Sequence, residues 1–200
     1  MPKADKLILG ANAIEVEKLI PEGFSFGGNA ILKKLLRLGE FRLRGKELED
    51  DESWRQLIAY MPVFNEYGKL LLYQRNDKHT ETKLSGFWSC GSGGHIKDSD
   101  FGGDKKLSIE GIYKAAEREL FEEVEFKSLK ALKFYGFIWA KNPAVDRVHI
   151  GLVFIANIAG FIRCDKSEAQ RWDFVDVQKD KLEYNFENWT RILLPHLKNF

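Results

Sequence analysis

Cysteine is nearly missing from this chain of 200 residues, and the two present, Cys90 and Cys164, make neither a metal-knuckle spacing nor a disulfide framework. A charge excess is missing too: 31 Lys and Arg face 30 Asp and Glu, for a net charge of +1. No large basic field therefore speaks for a nucleic-acid partner. No apolar run approaches the ~20 residues that a membrane-spanning helix needs, and the opening MPKADKLILG lacks the apolar stretch of a secretory signal. Internal repeats and low-complexity tracts are absent as well. The expectation is a soluble, reduced, cytoplasmic protein with neither nucleic acid nor membrane as partner. What the chain does hold is apolar material, 44% of its residues, enough at this length for one globular domain with a sizeable core.

Residues 1–50 read as an extension, mostly helical, packed on a main domain of residues 51–200. Ile14, Val16, Leu19 and Ile20 recur at helical period until Pro21 and Gly23 end the segment. In NAILKKLLRLGEF, Asn29 is placed to cap a helix whose apolar face is Ile31, Leu32, Leu35, Leu36 and Leu38, with Gly39 as its stop. Lys33, Lys34 and Arg37 on the other side also suit a membrane surface, but docking on the chain's own domain explains the same residues, and a homodimer contact is the intermediate reading. After the polar GKELEDDES the pattern turns to strands: RQLIAYMPVF and KLLLYQR around a turn at 65–68, then LSGFWSCGSGGHI breaking into glycines. LKALKFYGFIWA and RVHIGLVFIANI, joined by KNPAVD, predict paired core strands; QRWDFVDV predicts a short strand and FENWTRILLPHL a closing helix. Hairpins mixed with helices on each side of a sheet favour an α/β (α+β) sandwich over a bundle or an all-β fold.

The most unusual stretch is residues 108–126, SIEGIYKAAERELFEEVEF, which carries six acids against two bases. Ile109, Ile112, Ala116, Leu120 and Val124 form an apolar stripe at helical period. Glu119, Glu122 and Glu123 fall at i, i+3 and i+4 on the other face, where like charges oppose one another by roughly 0.2–0.5 kcal/mol per pair. A cation is expected beside them. Clustered carboxylates after a glycine-rich turn suit a hard divalent ion, whose chemistry is attack of water on a diphosphate. The plainer alternative is a solvated acidic face with pairs such as Glu110/Lys114 and Arg118/Glu122.

Here a family resemblance enters. Arg118-Glu119-Leu120-Phe121-Glu122-Glu123-Val124-Glu125-Phe126 resembles the R-E-U-x-E-E-x-G-U half of the Nudix box, U being bulky and apolar, and Glu110 stands eight residues before Arg118. Gly93-Gly94-His95-Ile96 resembles the turn that opens the box. The family's glycine precedes the first glutamate by six residues, a slot filled here by Asp104, so a ten-residue insertion holding KDSDFGGDKK is expected between Gly94 and Glu110. GGHI with RVHIGLVF is similar to a Nudix subgroup described as predicted phosphoesterases. Glu125 departs from the pattern, standing where the family ends its helix with glycine.

The resemblance implies a Nudix-type α/β/α sandwich with a mixed central sheet. It implies a pyrophosphohydrolase using Mg²⁺, or Mn²⁺ in its place, on a small-molecule nucleoside diphosphate derivative. Glu122 and Glu123 would hold the metal, Glu119 would share in ligation or orient the water, the Gly93 carbonyl would be a neutral ligand, and Arg118 would steady a glutamate with Glu110 as its partner. Substrate-binding candidates are Arg75, His95 and Glu168. Phe87, Trp88, Tyr135 and Trp139 offer stacking surfaces, though strand aromatics are usually core, and Pro143 stands where some members carry a specificity proline. Two rival readings share the fold: an isoprenoid-diphosphate isomerase using Cys90, and a nucleotide-sensing module without turnover. Cys90 and His149 otherwise read as buried packing residues.

Overall fold

The computed structural model describes residues 6–76, 86–102, 105–167 and 169–198. They build one mixed sheet with helices on both faces. At its centre lies β4 (Trp54–Phe64), buried along almost its whole length. Alternate residues serve opposite faces, as a pleated strand requires: Leu57, Ala59, Met61 and Val63 join one core, Tyr60 and Phe64 the other. β4 runs parallel to β9 (His149–Cys164) and antiparallel to β5 (Leu70–Arg75) and β7 (Gly91–His95). Beyond β9 comes β8 (Val124–Trp139), antiparallel to it, while β10 (Ala169–Val175) and the short β6 (Trp88–Ser89) pair with β5. The two sequence-predicted hairpins are thus present. The first closes through Asn65, whose side-chain oxygen accepts the amides of Tyr67 and Lys69, each at 3.0 Å.

The first fifty residues depart from the expected helical extension. Two helices are there, α1 (Ala13–Leu19) and α2 (Asn29–Leu38), but so are three strands: β1 (Leu7–Asn12), β2 (Gly23–Phe26) and β3 (Gly39–Leu43). β1 pairs with β3 and with the start of β4, and β2 adds to the outer edge of β8. Short segments such as LILGAN and GEFRL acquire strand geometry only from partners distant in sequence, so no local pattern announces them. Asn12 caps α1, accepting the amides of Ile14 and Glu15 at 3.0 and 3.3 Å. Asn29, expected as a cap, is instead the first residue of α2, with Gly28 before it and no side-chain cap. Gly39 stops α2 in extended rather than left-handed geometry (φ −70°, ψ 139°) and so leads directly into β3.

Leu32, Leu35 and Leu36 of α2 are buried in the same core as Val16 of α1 and Ile112, Ala116 and Leu120 of α3 (Ile109–Glu123). Most of the apolar face that also suited a membrane or a dimer is therefore used within the chain, with Leu38 left exposed. On the opposite face, Trp189 and Leu193 of α5 (Asn188–Leu193) pack with Leu70, Ile138 and Val153, and a single turn, α4 (Ala144–Arg147), sits in the connection from β8 to β9. No helix among the described residues is long and apolar enough to cross a membrane.

Candidate active site

The loaded helix is α3. The Ser108 hydroxyl accepts the Gly111 amide at 3.1 Å to start it. At its far end Val124 turns straight into extended backbone (φ −128°, ψ 122°) and begins β8. Glu125 therefore needs no left-handed cap; it is a strand residue whose carboxylate accepts from Arg163 at 2.6 Å. Ile112, Ala116 and Leu120 are buried as the stripe predicts.

The carboxylates on the other face have three different environments. Glu119 is buried against Gly94, where a Cβ would stand 2.7 Å from its Oε2. Glu122 is the exposed one, with 54% of its side chain accessible. Glu123 reaches back to the glycine turn of β7, its Oε2 accepting the Ser92 hydroxyl at 2.7 Å and the Gly93 amide at 2.9 Å. Gly93 has a φ of +151°, and a Cβ there would lie 1.8 Å from the Ala59 carbonyl oxygen. Only glycine lets the turn approach β4 this closely.

Two cations stand beside these carboxylates, Arg118 and Lys97. Arg118 donates to both oxygens of Asp100 at 2.7 and 2.8 Å, to the His95 carbonyl at 3.1 Å, and through Nη1 to Glu119 and Glu122. Burial acts against its charge, but the carboxylates of Asp100 and Glu119 outweigh burial and raise its pKa above the usual arginine value. Lys97 Nζ lies 3.2 Å from Glu119 Oε1 and 3.8 Å from Glu122 Oε2.

Asp100 corrects the sequence reading. Glu110 was expected to partner Arg118, but it lies exposed in the first turn of α3, two turns away from the arginine. Asp100 stands six residues after Gly94, which is the family's glycine-to-acid spacing, and Arg118 follows it by 18 positions rather than eight. The ten extra residues therefore fall after the acid, not before it. The clue was available by counting six on from Gly94 and accepting aspartate for glutamate. Asp100 also takes the Lys97 amide at 2.8 Å, closing a 3-10 turn (Asp98–Phe101) whose Phe101 packs on Gly111 and Phe41. Asp104 lies outside the described residues.

Beside these groups opens a cavity of about 330 Å³, walled by Glu119, Glu122, Glu123, Gly93 and Gly94 on one side and by Tyr60, Glu187, Asn188 and Trp189 on another. Arg75 and His95 both line it. Arg75 Nε donates to Glu187 Oε2 at 3.0 Å, while Glu187 Oε1 accepts from the Tyr60 and Ser89 hydroxyls at 2.9 and 2.6 Å. Burial opposes the Arg75 charge, yet Glu187, with Tyr73 and Glu123 behind it, holds its pKa well above the ordinary value. Glu187 thus fixes a permanent cation in the cavity wall. His95 Nε2 lies 2.7 Å from Gln56 Oε1, and because Gln56 Nε2 donates to the Leu48 carbonyl at 2.8 Å, the histidine is the donor. Its ring meets His149 edge-on at 5.5 Å. Glu168, the remaining candidate, lies outside the described residues.

Phe87, Trp88, Tyr135 and Trp139 are not among the residues lining the cavity; Trp88 packs on Tyr184 and Tyr135 on Phe24. The aromatic walls come from Tyr60 and Trp189, which the sequence offers only as core material. Sequence reasoning also passed over Asp100, Glu187, Lys97, and Lys6 and Arg44 at the cavity's edge. Their roles arise from pairing across the fold, for which a single charged letter carries no local signal.

A mixed sheet between helices, with a glycine turn and a glutamate-bearing helix opening on one cavity, defines a class. A family model for the NUDIX domain matches residues 54–197, and the chain belongs to the Nudix family, as an enzyme that hydrolyses phosphoric anhydrides. Among solved structures, Tm1382, a protein ascribed to the Nudix hydrolases, is similar at a TM-score of 0.79 and 28% identity, over 97% of this chain and 99% of that one. The first fifty residues are therefore largely within the likeness. The MutT Nudix hydrolase from Burkholderia pseudomallei is similar at a TM-score of 0.52 and 17% identity, over 70% of this chain and 96% of that one, a likeness of fold. No curated protein matches the sequence.

Nudix enzymes generally use divalent metal ions, and the donors here suit one in kind: three carboxylates and a backbone carbonyl, all hard oxygen ligands. As placed, no three acidic, histidine or cysteine side chains among the described residues converge on a point. Two causes are visible. Glu123 is turned to the Gly93 amide, and Glu119 and Glu122 are closed on Arg118 and Lys97. For the set to meet on one divalent cation, Glu123 has to leave the Gly93 amide and Lys97 has to yield Glu119 and Glu122.

Proposed function

We propose that the protein cleaves a diphosphate bond in a nucleoside diphosphate linked to another group, using Mg²⁺ and water, in the cytoplasm. The observation that carries this reading is the convergence on one cavity of Glu119, Glu122 and Glu123 with the fixed guanidinium of Arg75. Glu122, Glu123 and the Gly93 carbonyl would hold the ion, with Glu119 sharing in ligation or orienting the water. A bound Mg²⁺ supplies polarisation of a phosphoryl oxygen and a lowered water pKa. Arg118, anchored by Asp100, keeps Glu119 and Glu122 in place. Arg75 offers the diphosphate a cation that Glu187 prevents from swinging away. Tyr60 and Trp189 give the substrate an apolar wall.

The isomerase reading loses its residue. Cys90 is buried to 1% exposure, does not line the cavity, and its thiol is pushed by burial up to about 12, so the reactive thiolate is scarce at neutral pH. Cys90→Ala is expected to keep kcat within about twofold of wild type and to cost about 1 kcal/mol of stability, measured by steady-state kinetics and thermal melting. Loss of all activity in a folded Cys90→Ala protein would restore the isomerase. The sensing module is opposed by the complete carboxylate set. A homodimer gets no support from Leu32, Leu35 and Leu36 of α2, which are occupied in the core.

The test is mass-spectrometric product analysis over nucleotide sugars, dinucleotides, nucleoside triphosphates and isoprenoid diphosphates with Mg²⁺ in ¹⁸O water. A nucleoside monophosphate and a phosphorylated partner, one carrying ¹⁸O, are expected from a nucleoside diphosphate derivative. Tight binding without any product, in Mg²⁺ or Mn²⁺, would make the protein a sensor instead.

A further inference from the structure

Lys97 occupies the place that an incoming cation has to take. Its ammonium sits between Glu119 and Glu122, at 3.2 and 3.8 Å, on a side chain only 18% exposed. The main chain at Lys97 is secured separately, by the hydrogen bond its amide donates to Asp100 Oδ2 and by a bridge to Ile8 of β1. Only the flexible stem has to move. Arg118, the other cation on these carboxylates, is different: Asp100 grips it through two hydrogen bonds. Mg²⁺ needs oxygens at about 2.0–2.1 Å, and an ammonium cannot stay within hydrogen-bond reach of the same oxygens without strong repulsion. Lys97 also lines the cavity proposed for substrate, so its displaced ammonium stays within reach of an anionic group bound there.

We propose that Lys97 exchanges partners: it neutralises Glu119 and Glu122 in the metal-free protein, and when a divalent cation takes those carboxylates its ammonium turns to the diphosphate of the substrate. This rests on the hydrolase reading above. It gives the residue two effects of opposite sign, because the same charge opposes the metal and favours the polyanion. A lysine that only stabilises the fold would weaken both kinds of binding when replaced.

The experiment compares wild type, Lys97→Met and Lys97→Arg. Mn²⁺ binding without substrate is followed by electron paramagnetic resonance or calorimetry, and KM and kcat are measured at saturating Mg²⁺ on the best substrate. Lys97→Met is expected to bind Mn²⁺ about five- to tenfold more tightly, the effect of removing one unit charge some 6 Å away through a largely aqueous medium. Its KM rises about tenfold, with kcat changed less, as for loss of a single charged contact to phosphate. Lys97→Arg keeps the charge and stays within about twofold of wild type in Mn²⁺ affinity. Lys97→Gln has the same expected signs as methionine and replaces it should that variant fold poorly. Unchanged or weaker Mn²⁺ binding by folded Lys97→Met, with turnover preserved, overturns the exchange and leaves the hydrolase standing. Absence of Mn²⁺ binding in every protein, wild type included, overturns both.

Discussion

Glu122→Gln is expected to lower kcat on the best substrate by about 10²–10³-fold, the loss of roughly 3–4 kcal/mol of transition-state stabilisation, with the melting temperature unchanged. The two halves of this expectation come from different facts. Glu122 is the most exposed of the three carboxylates, at 54%, and its contacts to Arg118 and Lys97 are long, at 3.4 and 3.8 Å. An isosteric change at such a site alters stability by no more than about 0.5 kcal/mol. A large kinetic loss therefore has to come from chemistry. Glu123→Gln would be less informative, because Glu123 also ties α3 to the Gly93 turn and its replacement disturbs the scaffold. Wild-type turnover by Glu122→Gln would overturn the metal assignment.

Asp100→Asn is expected to destabilise the protein by about 3 kcal/mol, since removing one partner of a buried ion pair leaves the other uncompensated. The Asp100 side chain is 4% exposed and holds Arg118 through two bonds. For a domain of this size that loss lowers the melting temperature by about 6–12 °C. Turnover falls with it, because Arg118 then ceases to hold Glu119 and Glu122. Glu110→Gln, by contrast, removes only an exposed acid from the first turn of α3, a helix-dipole effect below about 1 kcal/mol. Thermal melts of the two variants side by side decide the alignment of the box. If Glu110→Gln were the damaging change, the insertion would lie where the sequence alone suggested.

How far the chain was readable follows from the range of the interactions involved. The stripe Ile112, Ala116, Leu120 on α3 and the runs that became β4, β8 and β9 are local periodicities, and each is present. The three glutamates were legible because their spacing on one helix is itself local. Arg75 was placed near the same region by strand order and His95 by the glycine turn it follows, and both line the cavity. The partner of Arg118 was missed for a different reason: two acids competed for one slot, and the choice depended on where an insertion begins. Glu187, 112 residues from Arg75 in sequence, became visible only when the start of α5 was laid against β6. β1, β2 and β3 were missed because their partners lie across the sheet.

β1 and β2 enter that sheet at two separate points, one beside the start of β4 and one along the outer edge of β8. Residues 54–197, which the family model matches, are for that reason expected not to fold well alone. A fragment cut to begin at Trp54 would bare two rows of backbone amides and carbonyls at once, together with the floor on which Leu32 and Leu35 rest, and such open borders pair with other chains. The border of the matched segment and the border of the sheet fall at different places in this protein. The amino-terminal fifty residues, least legible in the sequence, extend the sheet on which the candidate site stands.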